Sequence, residues 1–133
     1  AIGCINVLDR LRGLNIFPCI DEWDGAILFI ETSNSELSPQ MFRYFLRSLA
    51  ALGVFEKIEG IVFGKPYNNL YYDEFNAELL RIVAYEQGRD NLPILCNLNF
   101  GHTSPSFIIP YGAEAEIDCN CKRFSIISKG VNG

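Results

Sequence analysis

A continuous apolar run, AILFI at positions 26–30, constrains this chain more than any other stretch. Asp24 and Gly25 precede the run, and the polar stretch ETSNSE follows it. An uninterrupted apolar run between turn residues is typical of a strand that is buried on both faces, as in a parallel sheet. The sequence therefore predicts a buried β-strand at about Ala26 to Ile30.

Helix and strand patterns alternate after this first strand. Ser38 followed by Pro39 is a typical N-cap with proline in the first helical turn, and apolar residues then recur at helical spacing until Gly53. The connections between strands are long enough for crossovers, so the strands are predicted to run parallel. The further predicted elements are a helix over 39–52, a strand over 59–65, a helix from near Asp73 to Gly88 and a strand over 92–96.

The pattern changes after Pro110. Ala113, Ala115 and Ile117 alternate with acidic residues, which predicts a half-exposed strand. The stretch RFSII at 123–127 is predicted to pair with it across a Cys-Asn-Cys turn. The predicted fold class is therefore α/β, with a short parallel β-α-β-α-β core and an antiparallel β extension at the C-terminus. A length of 133 residues suits one domain over 1–133.

Charge and composition argue against several classes of partner. The net charge is -5 and the basic residues are scattered, so nucleic acid is not expected as a partner. The longest apolar runs are far shorter than the roughly 20 residues of a membrane-spanning helix, so no membrane partner is expected. Five cysteines without a C-x-x-C pair, and a single histidine, argue against a disulfide framework or a zinc site. Reduced thiols are expected instead.

The predicted sheet brings two titratable residues to the same edge. The carboxyl ends of parallel strands share one edge, and ligands bind in the crevices there. Glu31 directly follows the first predicted strand, and the segment after the third strand carries His102. The topology therefore predicts that the Glu31 carboxylate and the His102 imidazole are neighbours, although they are distant in sequence.

Such a pair has a defined chemistry. A glutamate that accepts the Nδ1 proton of a histidine fixes the ring tautomer and leaves Nε2 free to take a proton from a nucleophile. Taken singly, a loop histidine is more often a surface residue, and a glutamate at a strand end is usually just solvated. Only the predicted meeting of Glu31 and His102 favours catalysis.

The nucleophile that would complete a triad is missing. The sequence contains no G-x-S-x-G nucleophile elbow. Cys96, which ends the third predicted strand, is a candidate for Cys-His chemistry, but a buried structural thiol is the favoured interpretation. The serines near the predicted site lie in its loops or cap a helix: Ser33, Ser35, Ser38, Ser104 and Ser106.

Three motifs together resemble the C-terminal domain of the LD-carboxypeptidases, serine peptidases that include murein tetrapeptide carboxypeptidase and the microcin C self-immunity protein. The motifs are DGAILFIET (24–32), GVFEKIEGIVFGKP (53–66) and LPILCNLNFGHTSPSFIIPYG (92–112). The resemblance implies a swivelling β/β/α domain and a Ser-Glu-His triad whose glutamate and histidine are matched by Glu31 and His102. It also implies that the serine and the oxyanion hole belong to an N-terminal domain. Thr32 stands where many members have an aspartate.

The resemblance further implies a cytoplasmic enzyme, commonly a homodimer, that needs no metal or organic cofactor. Such enzymes hydrolyse an L,D-peptide bond, as in the release of D-alanine from murein tetrapeptide during peptidoglycan recycling. The self-immunity branch instead acts on a peptidyl- or aminoacyl-nucleotide. We therefore expect this chain to be part of a longer, two-domain peptidase and to be inactive alone. The alternative is a non-catalytic module for dimerisation or ligand binding.

Overall fold

The computed structural model describes residues 2–33 and 37–128. Short 3-10 helices cover Ile20–Trp23 and Tyr67–Asn69, and a π-helical segment, Arg81–Glu86, continues the last α-helix. The remaining elements, in chain order, are β1 (Ile2–Cys4), α1 (Ile5–Leu11), β2 (Ile27–Glu31), α2 (Pro39–Ala51), α3 (Val54–Lys57), β3 (Gly60–Gly64), α4 (Tyr72–Leu80), β4 (Ile94–Leu98), β5 (Ala115–Asp118) and β6 (Arg123–Ile126).

Strands β1 to β4 form one parallel sheet in the order in which they occur along the chain. The predicted parallel core is confirmed by β2, β3 and β4, with the two helical regions between them. Strand β1 is an addition to the prediction, and its register places Cys4 beside Glu31 of β2. A strand of three residues is too short to show a periodic pattern in the sequence.

The two faces of the sheet are covered by different layers. One face packs against α2 and α4, and the other packs against the β5–β6 hairpin and the segment that carries Phe100. The resulting order of hairpin, sheet and helices confirms the predicted α/β fold with its antiparallel extension. Alternate residues of β2 and β3 enter the two cores: Leu28, Ile30, Ile61 and Phe63 on the helix side, and Phe29 and Val62 on the hairpin side.

Helix α2 begins as the sequence predicts. The Ser38 Oγ accepts a hydrogen bond from the Met41 N–H at 3.2 Å, and Pro39 occupies the first helical position. The helix ends at Ala51, and Gly53 follows with a left-handed φ of 77°. The apolar face of α2 contributes Phe42 to a cluster of buried rings with Phe63 and Phe75, whose centroids lie 5.0 to 6.0 Å apart.

The hairpin packs on the sheet because β3 begins with a glycine. Strands β5 and β6 pair antiparallel, and Ile117 lies opposite Phe124. A Cβ atom added at Gly60 would lie 2.7 Å from the Ile117 Cδ1, so only glycine lets this side chain reach the sheet. At the hairpin turn the Asp118 Oδ1 accepts hydrogen bonds from the N–H groups of Asn120 and Cys121, each at 2.9 Å.

Helices α2 and α4 are joined by ion pairs as well as by their apolar faces. The Arg43 guanidinium donates two hydrogen bonds, at 2.8 and 2.5 Å, to the largely buried carboxylate of Glu78. Arg47 makes a similar two-fold contact with Glu86 at 3.0 and 2.7 Å. The hydrogen bond from Arg43 lowers the pKa of Glu78 below its ordinary value of 4.5.

Within residues 2–33 and 37–128, no helix is both long and apolar enough to cross a membrane.

The Glu78 contact predicts a pH-dependent stability. Because its folded-state pKa is lowered, the Glu78 carboxylate stabilises the fold above its unfolded pKa near 4.5, and this contribution is lost as the pH falls through the lowered value. We expect Glu78→Gln to lower the midpoint of urea denaturation at pH 7, and the difference from wild type to shrink below about pH 4. Glu116→Gln, on the exposed side of the hairpin, is the matched control. A constant difference between pH 7 and pH 3 would contradict this assignment.

Candidate active site

Glu31 is a buried carboxylate at the carboxyl end of the sheet. It is the last residue of β2 and lies on the hairpin side, since side chains alternate along a strand and Phe29 packs on that side. Only 7% of its side chain is exposed. A buried carboxylate is costly unless hydrogen-bond donors satisfy it, so its partners define the site.

His102 supplies these donors. Its backbone N–H donates to the Glu31 Oε2 at 3.2 Å, and its ring Nδ1 lies 3.0 Å from both carboxylate oxygens. Because an ionised carboxylate can only accept, Nδ1 carries the proton in this contact. The predicted proximity of the two side chains is therefore confirmed, and their catalytic roles stay predictions.

The other side of the ring faces outward. The His102 side chain is 55% exposed, and no group in the described parts of the chain hydrogen-bonds to Nε2. With Nδ1 held by the carboxylate, Nε2 is the nitrogen with a free lone pair. The arrangement can accept a proton from a group that approaches from outside the described residues.

The loop that carries His102 is shaped by an irregular strand end, which the sequence pattern did not predict. The β3–β4 pairing shifts register so that Phe63 pairs with Cys96 but Gly64 pairs with Leu98. The extra residue, Asn97, has a φ of 68°, and asparagine tolerates this left-handed conformation better than most residues. The bulge redirects the chain toward Glu31. An asparagine inside a short apolar strand was the available sequence signal.

Backbone hydrogen bonds then hold the loop at both ends. The Lys65 N–H donates to the Leu98 carbonyl at 2.8 Å, and the Phe107 N–H donates to the Asn99 carbonyl at 2.7 Å. The bond between Ser104 and Pro105 is cis. His102 thus lies in a loop that is closed on itself and attached to β3.

Comparison with known proteins identifies the family of this chain. Residues 2–117 match the family described as the LD-carboxypeptidase C-terminal domain. This chain belongs to that family. The match covers the whole parallel sheet, Glu31, His102 and most of β5.

Individual members of the LD-carboxypeptidase family are similar over nearly the whole chain. A relative from Treponema pallidum carries the name of a carboxypeptidase assigned by inference. It is 28% identical over 125 residues, which is 93% of this chain and 35% of the relative. One from Bacillus subtilis, named in the same way, is 30% identical over 118 residues, which is 87% of this chain and 34% of the relative. The chain therefore spans about a third of the length of the curated relatives it matches.

Several solved structures share the fold, among them the following two. A MccF-like protein from Streptococcus pneumoniae, in complex with AMP, has a TM-score of 0.80 and 30% identity, and the match covers 94% of this chain and 39% of that one. The muramoyltetrapeptide carboxypeptidase from Oxalobacter formigenes has a TM-score of 0.62 and 25% identity, with 96% and 41% covered. The second likeness agrees with the family match in indicating a carboxypeptidase-type domain.

In the part of this LD-carboxypeptidase domain that the structure describes, no hydroxyl or thiol hydrogen-bonds to the His102 ring. Ser38 caps α2 as predicted, the Ser106 Oγ donates to the Gly101 carbonyl at 3.3 Å, and Ser104 is exposed on the loop. None of the described serine hydroxyls hydrogen-bonds to His102. Ser35 lies outside the described residues.

Cys96 fits the structural role that the sequence favours. Its side chain packs against the helix-side core, and burial raises the pKa of the Cys96 thiol to about 11. The thiolate is the reactive form, so a thiol of this kind is a poor nucleophile near neutral pH. In the described ranges, no group of three or more His, Cys, Asp or Glu side chains is arranged to hold a metal ion.

The raised Cys96 pKa predicts selective alkylation. We expect iodoacetamide at pH 8 to label the exposed Cys19, Cys119 and Cys121 about ten-fold faster than Cys96, because Cys96 is shielded and remains a thiol. Labelling of Cys96 should accelerate as the pH approaches 11 in the folded protein. Peptide mass spectrometry after timed quenching measures each rate. Equal rates at pH 8 would show that Cys96 is an accessible thiol.

Proposed function

We propose that this chain is the C-terminal domain of a serine-type LD-carboxypeptidase and supplies two of the three triad residues. His102 is the general base and then the general acid, and Glu31 orients it. The observation that carries the proposal is the three-fold contact between the buried Glu31 carboxylate and His102, with Nε2 left open to the outside. Family membership supports it independently.

The chemistry follows from this geometry. A serine hydroxyl placed at Nε2 gives its proton to the ring as its oxygen attacks the scissile carbonyl, and Glu31 stabilises the imidazolium that forms. His102 then donates that proton to the leaving amine. In the second half of the reaction the ring takes a proton from water as its oxygen attacks the acyl-serine, and returns it to the serine oxygen when the acid product leaves. Both halves require that Nδ1 keeps its hydrogen bond to Glu31.

We propose that the serine and the oxyanion hole belong to an N-terminal domain outside this chain. The chain's share of about a third of its relatives' length leaves room for such a domain. The loop after His102 also presents an apolar surface that a neighbour could cover: Phe107 is 67% exposed and Ile108 is 98% exposed. Such a patch beside a titratable pair is typical of an interaction surface. Without that domain, this chain is proposed to be inactive.

The proposed reaction is hydrolysis of an L,D-peptide bond that releases D-alanine from murein tetrapeptide in peptidoglycan recycling. It is supported by the likeness to a muramoyltetrapeptide carboxypeptidase. The substrate is then a muropeptide or a small peptide. A cytoplasmic location and a homodimer, with no metal or organic cofactor, are part of the same proposal and follow from the family resemblance.

A second substrate class is favoured by one observation. The MccF-like structure that carries AMP has the higher TM-score of the two, 0.80 against 0.62. A peptidase that acts on a peptidyl- or aminoacyl-nucleotide, like the microcin C self-immunity protein, would use the same Glu31–His102 pair. The two candidates differ in the group beyond the scissile bond and not in the catalytic residues.

The catalytic roles predict the effect of two substitutions in the full-length protein. Glu31→Gln should lower kcat by about 10⁴-fold, because an amide at this position can hold the His102 ring in the wrong tautomer. His102→Ala should lower kcat by about 10⁶-fold, because the serine loses its base. The measurement is release of D-alanine from a muramoyl tetrapeptide, with Glu116→Gln as the matched control for the carboxylate-to-amide change. Undiminished turnover in either variant would refute the roles and favour the non-catalytic module.

The substrate class is predicted by a direct comparison. For the full-length protein we expect kcat/KM for muramoyl tetrapeptide to exceed that for an aminoacyl-sulfamoyl adenylate by about ten-fold or more, since a substrate group that the site does not recognise lowers kcat/KM by roughly that factor. The reverse order would assign the protein to the nucleotide-processing branch. His102→Ala should abolish both reactions and so serves as the control for contaminating hydrolases.

A further inference from the structure

The Glu31 side chain lies close to two glycines from different parts of the chain, with Gly64 against its Cβ and Gly101 against its carboxyl end. A Cβ atom added at Gly101 would lie 2.5 Å from the Glu31 Cγ and 2.6 Å from both Cδ and Oε2. A Cβ atom added at Gly64 would lie 3.0 Å from the Glu31 Cβ and 3.1 Å from the Phe100 carbonyl oxygen. The distances at Gly101 are shorter than any side chain tolerates, so the carboxylate occupies space that a side chain would fill.

The backbone at Gly101 explains why the residue stands so close. Its φ of 80° lies in the left-handed region that favours glycine. This conformation directs the next N–H, that of His102, toward the Glu31 Oε2. The same residue therefore makes the turn that delivers the histidine and leaves the space that the glutamate needs.

The loop cannot easily move away to admit a side chain. Hydrogen bonds from Lys65 to Leu98 and from Phe107 to Asn99 hold its two ends, and the buried Phe100 ring packs edge-on against Phe29 at 5.5 Å between centroids. The softer partner is the Glu31 side chain, whose dihedral angles can rotate. A side chain at position 101 would therefore displace the carboxylate.

We propose that Gly101 and Gly64 are positioning residues, which together form a slot that sets the plane of the Glu31 carboxylate against the His102 ring. The proposal rests on the proposed function for its catalytic consequence. In the observed geometry Nδ1 lies 3.0 Å from both oxygens while Oε2 also accepts the His102 N–H. A displaced carboxylate cannot keep all three contacts. The imidazole then loses its fixed orientation.

The slot predicts a change in kcat with little change in KM. In the full-length protein, Gly101→Ala should lower kcat by about 10²-fold or more, because a small misplacement of a catalytic group has an effect of that order, and KM should stay within about two-fold. Gly64→Ala should lower kcat by about ten-fold, since its contacts of 3.0 to 3.2 Å require only a small shift.

Matched controls separate this effect from general strain. Gly13 has a φ of 83°, nearly that of Gly101, but an added Cβ meets nothing within 4 Å, so Gly13→Ala carries the same backbone strain without touching Glu31. Gly88 has a φ of 65°, and its added Cβ likewise meets nothing within 4 Å, so Gly88→Ala is a second control for backbone strain away from Glu31. Both control variants are expected to keep kcat within about two-fold.

A second readout does not depend on turnover. In the ¹H–¹⁵N NMR spectrum of the full-length protein, the His102 ring signals are identified by their loss in His102→Ala. We expect the downfield Nδ1 proton to persist in wild type and in Gly13→Ala, and to broaden or disappear in Gly101→Ala and Gly64→Ala. If both slot variants retain this proton and the kcat of their controls, the proposal is overturned. If only the proposed function is wrong, His102→Ala keeps normal turnover. The NMR difference between the slot variants and Gly13→Ala then still remains.

Discussion

Burial of β2 and β3 on both faces is the constraint on which the rest of this structure depends. Both strands have side chains in the two cores. In β2, for example, Leu28 and Ile30 point into the helix-side core and Phe29 into the hairpin-side core, so neither β2 nor β3 is stable without both covering layers. Apolar burial at this scale is the main favourable contribution to folding. The helices and the hairpin are therefore parts of one cooperative unit.

The same constraint produces the site. Where β2 leaves the double-sided core, Glu31 still lies on the hairpin side and is still buried, and its carboxylate must find donors there. The loop after β4 provides them through the N–H and the ring of His102. A structural requirement, the satisfaction of a buried charge, thus coincides with the arrangement that catalysis needs, in which one ring nitrogen is held and the other is open.

The close approaches in the structure occur where glycine removes a side chain. Gly60 admits the hairpin to the sheet, and Gly64 and Gly101 leave room for the Glu31 side chain at its Cβ and at its carboxylate. Packing at such short distances is rigid, because the atoms on both sides have no free space. The position of His102 is consequently set by the sheet and its neighbours, although the residue itself lies in an exposed loop.

Local pattern was sufficient to predict much of this protein. The apolar run of β2, the Ser38 cap of α2 and the alternation in β5 identified their elements, and the parallel topology then placed Glu31 and His102 at one edge. Strand β1, the bulge at Asn97 and the slot around Glu31 could not be predicted in this way, because each depends on residues that are distant in sequence. The sequence by itself determined the order of the elements and the family, since these depend on periodicity and on contiguous motifs. Only the tertiary structure decided the distances of the Glu31–His102 contact and what surrounds it, since these depend on how separate segments pack.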